Sequence, residues 1–479
     1  MTAIAPGTTP APVASGRRAA ELSLGPRWAV AVAVLTAIAV SALVVFSVVA
    51  AAAVAAAVVV VAVVYAYPPA GAYIVVGATP LIAGIDRGVI PVVRLNEALV
   101  LLVAVGLVAR RLPAWAVDGL PQFRVRRIDV SILLLAIASS VLPVMWLVLR
   151  SKPLTQDDLL YALVIWKYYG VFLVVRASVQ TEQQVRRCLA IGMASAIVVA
   201  FVAVLQSLKL FGVPQLLATL RYSDFGDTAA LTANRGSSTL GLPAAVADLM
   251  VFNLAVAWAW VRRGARHPWM LYAASAVFIF GTIASGEFAG VIALVLAGFV
   301  IVLLSRSARP IVTALPVGLV AGVALWPVIE RRLSGFATQQ RLPVSWVVRL
   351  QNLHTYFFPD LFTRFHWVLG VRPAARLLVS PTAGYVWIES GYTWLLWAGG
   401  IPLVVTFLIF VWVCGRAMAN IARRRADAIG IAATGAFVGL AVVAVLMLVD
   451  PHLTQRGAAD MLFALLALAS AGAMIKPST

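Results

Sequence analysis

Cysteine is nearly absent from this chain, with two in 479 residues, Cys188 and Cys414. Both stand near the ends of apolar runs, which argues against a disulfide framework or a thiolate metal cluster. Histidine is almost as scarce, with four. The two that share a segment, His354 and His366, have no second ligand pair nearby, and this argues against a metal site. Charged residues make up only 11% of the chain and apolar residues 62%. A mean hydropathy of +0.98 excludes a soluble globular domain. There is no tandem repeat, no inverted repeat strong enough to suggest a rocking transporter, and no soluble domain for a nucleotide-sugar.

Long apolar runs are what the chain does have, such as Trp28 to Val64 and Gly430 to Val449. A helix needs about 20 apolar residues to cross a bilayer. Backbone groups in lipid must be satisfied internally, so such runs are helices or closed barrels. Barrel strands alternate polar and apolar residues, and these runs do not. The fold class is therefore an all-α polytopic membrane protein. Fourteen spans are expected, at 28–46, 48–65, 70–86, 97–109, 128–149, 159–175, 188–208, 239–261, 268–284, 288–304, 311–329, 390–413, 429–449 and 459–475. Phe46 to Ala50 makes a poor turn, so twelve or thirteen spans also fit. Residues 1–27 form a disordered cytoplasmic N-terminus, 28–329 the first part of the bundle and 330–389 one large loop. Residues 390–475 complete the bundle and 476–479 form a short tail.

The net charge of +19 is unevenly placed. Arginines gather in alternate connectors: at 17, 18 and 27; at 110, 111, 124, 126 and 127; at 176, 186 and 187; at 262, 263 and 266; at 306 and 309; and at 416, 423, 424 and 425. Basic connectors stay on the cytoplasmic side. Both termini are then inside, and Glu330–Glu389 is extracytoplasmic. The high pI reports topology and contact with anionic membrane lipids rather than nucleic acid.

The outward loop holds seven arginines, two histidines and several aromatics. Pro343 to Phe358 reads as an amphipathic helix, with Trp346, Leu350, Leu353 and Phe357 on one face and Arg349 and His354 off it. His366-Trp-Val-Leu-Gly-Val-Arg-Pro is a turn that holds Arg372. Gly384 to Gly400 leads into the next span and carries Trp387, Glu389 and Tyr392. An arginine fork bonds two phosphate oxygens at once and does not deprotonate. A carboxylate beside such arginines can take a hydroxyl proton. Trp387, Tyr392, His354 and His366 are candidates to meet a sugar or an acceptor, although span-end aromatics also form interfacial belts.

Two further connectors face the same way. Asp86 to Glu97 has Arg87 and Arg94 as interfacial anchors. Lys209 to Ser238 carries Arg221, Tyr222, Asp224, Asp227 and Arg235. Arg235 precedes a helix start whose free N–H groups and dipole would suit a phosphate, or else it snorkels to lipid headgroups. Asp248 lies one to two turns inside its span, placed to face a cavity or to pair with a loop arginine. Glu287 reads as a residue of the bend Ser285-Gly286-Glu287.

In order, three segments resemble motifs of the O-antigen ligase/polymerase family of bacterial membrane glycosyltransferases. They are Arg235-Gly-Ser-Ser-Thr-Leu-Gly-Leu-Pro, Arg349 through Gly370-Val-Arg, and Glu389-Ser-Gly-Tyr-Thr-Trp-Leu-Leu-Trp-Ala-Gly-Gly. Where that family's ligases commonly have histidine this chain has Glu389, and Arg372 stands where glycine is common. The resemblance implies a GT-C-type architecture in the bacterial cytoplasmic (inner) membrane. It implies a polyprenyl-diphosphate-linked oligosaccharide donor, a glycan or lipid acceptor, and transfer at the outer face with no metal or other cofactor. Arg235, Arg349, Arg372 and Arg221 are then candidates for the diphosphate, and Glu389 for the base, with His354, His366 or Asp360 as substitutes. A lipid-linked oligosaccharide flippase, or a scaffold of an envelope-synthesis complex, would share the span count. Neither would need a carboxylate at the end of a long outer loop.

Overall fold

The computed structural model describes residues 47–86, 93–119, 125–220, 222, 235–334, 344–380 and 384–471. The chain divides into two units, residues 1–59 with 111–120, and residues 60–110 with 121–479. The expected span at 28–46 lies outside the described residues.

A helix lies on every span expected after residue 46. They are α1 (Val48–Ala66), α2 (Pro69–Ile82), α3 (Leu95–Asp118), α4 (Arg127–Leu149), α5 (Gln156–Ala162) with α6 (Val164–Ser178), and α7 (Glu182–Ser207). After a short α8 (Val213–Thr219) come α9 (Pro243–Arg262), α10 (Pro268–Ala284), α11 (Phe288–Ser305) and α12 (Arg309–Ala324). The chain closes with α17 (Gly391–Arg424), α18 (Ala428–Leu446) and α19 (Ala458–Ala471). Among the described residues, eight helical stretches are long and apolar enough to cross a membrane, which makes this an all-α polytopic membrane protein. The helices at 50–66, 69–82, 268–284 and 458–471 are apolar but shorter.

Capping explains several helix starts. Thr155 and Thr181 each accept the backbone N–H three residues on, and Asp158 and Gln184 reach back to the caps. The centre of the larger unit is α9, α18 and α19, which are apolar almost all round and buried along most of their length. Small residues let these helices approach. A Cβ on Gly435 would lie 2.6 Å from Val256 Cγ2, and one on Gly439 would lie 2.9 Å from Leu462 Cδ1.

Two breaks matter for the site. The span expected at 311–329 stops at Ala324, and α13 (Trp326–Leu333) turns off it by 77°. The second break interrupts α17 at Gly400, which has φ 64° and ψ −156°. That conformation is open to glycine almost alone.

Between α13 and α17 the chain forms α14 (Val344–Asn352), a π turn (Leu353–Phe357), α15 (Phe358–Phe362) and α16 (His366–Leu369). The single amphipathic helix expected over 343–358 is thus interrupted. Leu353 and Phe357 are buried, but Leu350 is exposed. A hairpin follows, with β1 (Arg376–Ser380) antiparallel to β2 (Gly384–Trp387).

The Gly370-Val-Arg turn docks onto the break in α17. Val371 and Arg372 donate their N–H groups to the Trp397 carbonyl at 2.7 and 3.3 Å, and Arg150 donates to the Val371 carbonyl. Trp397 Nε1 donates to the Ala374 carbonyl at 3.0 Å. The carbonyl that the break exposes is therefore satisfied by the loop, as a buried backbone group requires.

Candidate functional site

Arg235 is presented by a segment whose small polar residues all point inward. Gly236 donates its N–H to the Ala284 carbonyl at 2.9 Å, and Ser238 donates its N–H to Gln206 Oε1 at 2.7 Å. The hydroxyls of Ser238 and Thr239 donate to the carbonyls of Val199 and Pro80, each at 2.8 Å. These bonds correct one expectation. The N–H groups of Gly236 and Ser238 are already used, and a 3-10 turn at Ser238–Leu240 precedes α9. Arg235 is anchored at its backbone and extends its side chain, but it is not backed by an open helix N-terminus.

Glu287 is a bend residue, as expected, and also a hub. As the N-cap residue of α11 it holds Arg235 by one carboxylate oxygen. Its other oxygen lies 3.3 Å from Arg332 Nη2. Arg332 is on α13, where the 77° turn brings it over the start of α11. There its Nε donates to the Gly286 carbonyl at 2.5 Å, and its guanidinium lies 5.6 Å from the Phe288 ring centre.

Arg349 completes the constellation from α14. Its Nε is 3.4 Å from Glu389 Oε1, and its Nη1 donates to the Val449 carbonyl at 3.3 Å. Glu389 ends the segment that follows β2, just before α17. A cavity of about 250 Å³ opens among Arg235, Glu287, Arg332, Trp346, Arg349 and Glu389, with Val449 in its wall. Burial pushes Glu389 above the usual carboxylate range. Arg349 opposes that rise, Asp450 adds to it, and Arg235 opposes it. Burial, with Arg332 and Arg349 close by, pulls the Arg235 guanidinium down to about 9, so it stays charged at neutral pH.

The structure brings together Arg235, Arg349 and Glu389, out of the residues expected from sequence. Arg221 lies outside the described residues. Arg372 is a correction. It does not line the cavity, but grips Asp158 with Nε at 3.0 Å and Nη2 at 2.6 Å, and that carboxylate is fully buried. Tyr392 is another. Its hydroxyl donates to the Ala444 carbonyl at 2.8 Å and its ring packs edge-on against Phe407, so it joins α17 to α18. Trp387 stacks with the Arg376 guanidinium at 5.2 Å. His354 meets Phe358 edge-on, and the half-buried His366 pairs its Nδ1 with the Asp360 carbonyl at 2.8 Å. Arg87 lies outside the described residues. Glu97 accepts from the Arg94 N–H at 3.0 Å and pairs with Lys167 at 3.7 Å.

Asp248 pairs with neither a loop arginine nor the cavity. Its Oδ2 is 2.7 Å from Nδ1 of His452, and both side chains are buried. Sequence reasoning passed over His452, Asp450 and Arg332. The run Val449-Asp450-Pro451-His452, polar the moment a long span ends, was a signal for the first two. Arg332 had none beyond being one loop arginine among seven.

The arrangement sets three arginines against two carboxylates, Glu287 between two of them and Glu389, of raised proton affinity, beside the third. Arginines released from these pairs could hold a multiply charged anion. No family model matches this chain, and no curated protein shows significant similarity to it.

Proposed function

We propose that this chain is a glycosyltransferase of the bacterial cytoplasmic membrane. It moves glycan from a polyprenyl-diphosphate-linked oligosaccharide to a hydroxyl of a glycan or lipid acceptor, as a ligase or polymerase of cell-envelope polysaccharide. One observation carries the reading. Arg235 and three residues of the 330–389 segment, Arg332, Arg349 and Glu389, meet at one cavity where α11 and α17 begin. The alternating arginine connectors support an extracytoplasmic side for that end. A GT-C-type architecture is consistent with the many spans and the folded segment between α13 and α17.

In this reading the donor's lipid tail stays in the bilayer and its diphosphate enters among the arginines. Glu389 accepts the acceptor hydroxyl proton. The acceptor oxygen bonds to the anomeric carbon as the bond from that carbon to the diphosphate oxygen breaks. The electron pair leaves with the lipid diphosphate, and Arg235, Arg332 and Arg349 stabilise the growing charge. For this, the salt bridges of Glu287 and Glu389 must exchange for contacts to substrate.

Glu389→Gln tests the assignment, because it keeps size and most hydrogen bonding but cannot act as a base. The purified variant is expected to bind lipid-linked donor and to lose transfer by about 100-fold or more. Undiminished transfer would remove Glu389 from the mechanism. Translocation of the lipid with no glycosidic bond made would favour a flippase. A cysteine at Ser380 should react with an impermeant thiol reagent in intact cells or spheroplasts. Labelling only after lysis would reverse the topology.

A further inference from the structure

Behind the cavity, the connector between α18 and α19 forms a tight turn. Pro451 has φ −73° and ψ 64°, and the His452 N–H donates to the Asp450 carbonyl at 2.7 Å. That is an inverse γ-turn, and the proline ring sets its φ in advance. Gln455 braces it from below, with Nε2 3.5 Å from Asp450 Oδ2. The upper end of the turn is Val449, whose carbonyl accepts from Arg349 at 3.3 Å. The lower end is His452, whose Nδ1 sits 2.7 Å from Asp248 Oδ2 on α9. A continuous path thus runs from Asp248 through His452, the turn and Arg349 to Glu389.

The His452–Asp248 pair is a poor choice for stability alone. Both side chains are almost wholly buried. The second atom of each, His452 Nε2 and Asp248 Oδ1, has no hydrogen-bond partner among the described residues. A buried pair with unsatisfied atoms often contributes less than an apolar pair of the same volume. Its value lies in geometry.

We propose that His452, fixed by Asp248, is a positioning residue that holds the 449–452 turn and thereby aims Arg349 at Glu389 and the bound anion. The identity of that anion as a lipid diphosphate rests on the reading above. The groups that face His452 are Asp248 from α9, Asp450 on its own turn and Arg349 from α14. Burial opposes the imidazolium, but Asp248 and then Asp450 outweigh it and carry His452 above its ordinary value, with Arg349 pulling back. Coupling between two sites is reciprocal, so a change at Arg349 must register at His452.

With four histidines in the chain, selective ¹⁵N-histidine labelling of the full-length protein gives few signals. The His452 signal is the one that His452→Asn removes. Its titration midpoint is expected above that of an ordinary histidine, to rise further in Arg349→Gln and to fall in Asp248→Asn. The second measurement is affinity for farnesyl diphosphate, used as a probe. Asp248→Asn and His452→Asn should each weaken it about tenfold, as one misaimed charge-assisted contact would, while both variants melt cooperatively. An unmoved His452 midpoint in Arg349→Gln, or unchanged probe affinity in both turn variants, overturns the proposal. If wild-type protein binds no probe, the diphosphate reading falls, and the positioning link then stands only if Asp248→Asn and His452→Asn still speed amide exchange of Val449 and Asp450, which now bond to the Leu446 carbonyl.

Discussion

The molecule uses arginine–carboxylate pairs in two ways, and the 330–389 segment supplies arginines to both. At the hairpin, Arg372 and Arg376 close on Asp158 and Asp157. Each arginine uses two nitrogens, at distances of 2.6 to 3.0 Å. Asp158 also accepts from Thr155 and from the Ala374 N–H at 3.2 Å, so its oxygens are saturated. Arg376 also lies over the Tyr385 ring, 4.1 Å from its centre. At the cavity, Arg349 meets Glu389 by one contact of 3.4 Å, and its other partner is a backbone carbonyl. The hairpin arginines each turn both Nε and Nη2 onto one carboxylate, and the Asp158 oxygens are fully used. At the cavity Glu287 is divided between Arg235 and Arg332, Glu389 is held by a single long contact, and both open onto about 250 Å³ of space. Saturation, not residue type, separates a clamp from a binding site.

The sharpest way to break that comparison is to exchange the two outcomes. Asp158→Ala should destabilise the protein by about 3 kcal/mol, since removing one partner of a buried pair strands the other. The rim exposure of Arg372 keeps the loss at the lower end. Thermal unfolding in detergent measures it, and donor binding by the folded fraction should be unchanged. A small stability loss with abolished binding would put Arg372 back among the ligand-binding residues.

At the cavity the opposite pattern is expected. Arg235→Ala and Arg349→Ala should insert and melt normally but lose about 10- to 150-fold in transfer. Each deletes a charge-assisted contact worth about 1.5–3 kcal/mol. Near-normal turnover in both variants would assign these arginines to lipid headgroups.

Why one half of this was legible in the sequence and the other not comes down to range. The helices follow from hydropathy, a local property, and each expected span beyond residue 46 has its helix. Glu389 and Arg349 stood out because both sit in a loop too polar for a mere connector. Arg372 looked equally suitable, and what disqualifies it is Asp158, 214 residues away. His452 and Asp248 are separated by 204 residues and meet only when α18 and α19 fold against α9. Glu287 was visible as a bend, but its role depends on α13 turning off α12, which an unbroken apolar run from 311 to 329 conceals. The Gly370-Val-Arg and Trp397-Ala-Gly-Gly segments belong to the stretches that resemble family motifs. Here they hold each other across a helix break.

That docking has its own test. A Cβ on Gly400 would fall 2.4 Å from the Val368 carbonyl oxygen, at a φ of 64°. Gly400→Ala should cost about 1–3 kcal/mol in backbone strain and lift the 366–372 turn off α17. Faster amide exchange of Val371 and Arg372, whose N–H groups now bond to Trp397, would register it. Unaltered protection would mean that α17 can straighten without the loop.

The smallest effect expected is a shift in pH dependence, and it discriminates through its sign. If Glu389 is the base, transfer requires its ionised form, so activity falls as pH drops through its pKa. Burial has raised that pKa, so the acid limb should lie above the ordinary carboxylate range near 4.3. Arg349 stabilises the ionised form, and Arg349→Gln should therefore move the limb to higher pH, on whatever activity remains. Asp450 destabilises it, and Asp450→Asn should move the limb to lower pH. Asp158→Ala, in the saturated clamp, should leave the midpoint where it is. Rate profiles from pH 4 to pH 8 on the four proteins measure this, with stability checked at each end. Shifts of the same sign in the Arg349 and Asp450 variants would show that the limb reports unfolding or another group, and would return the choice of base to the histidines of the loop or to Asp360.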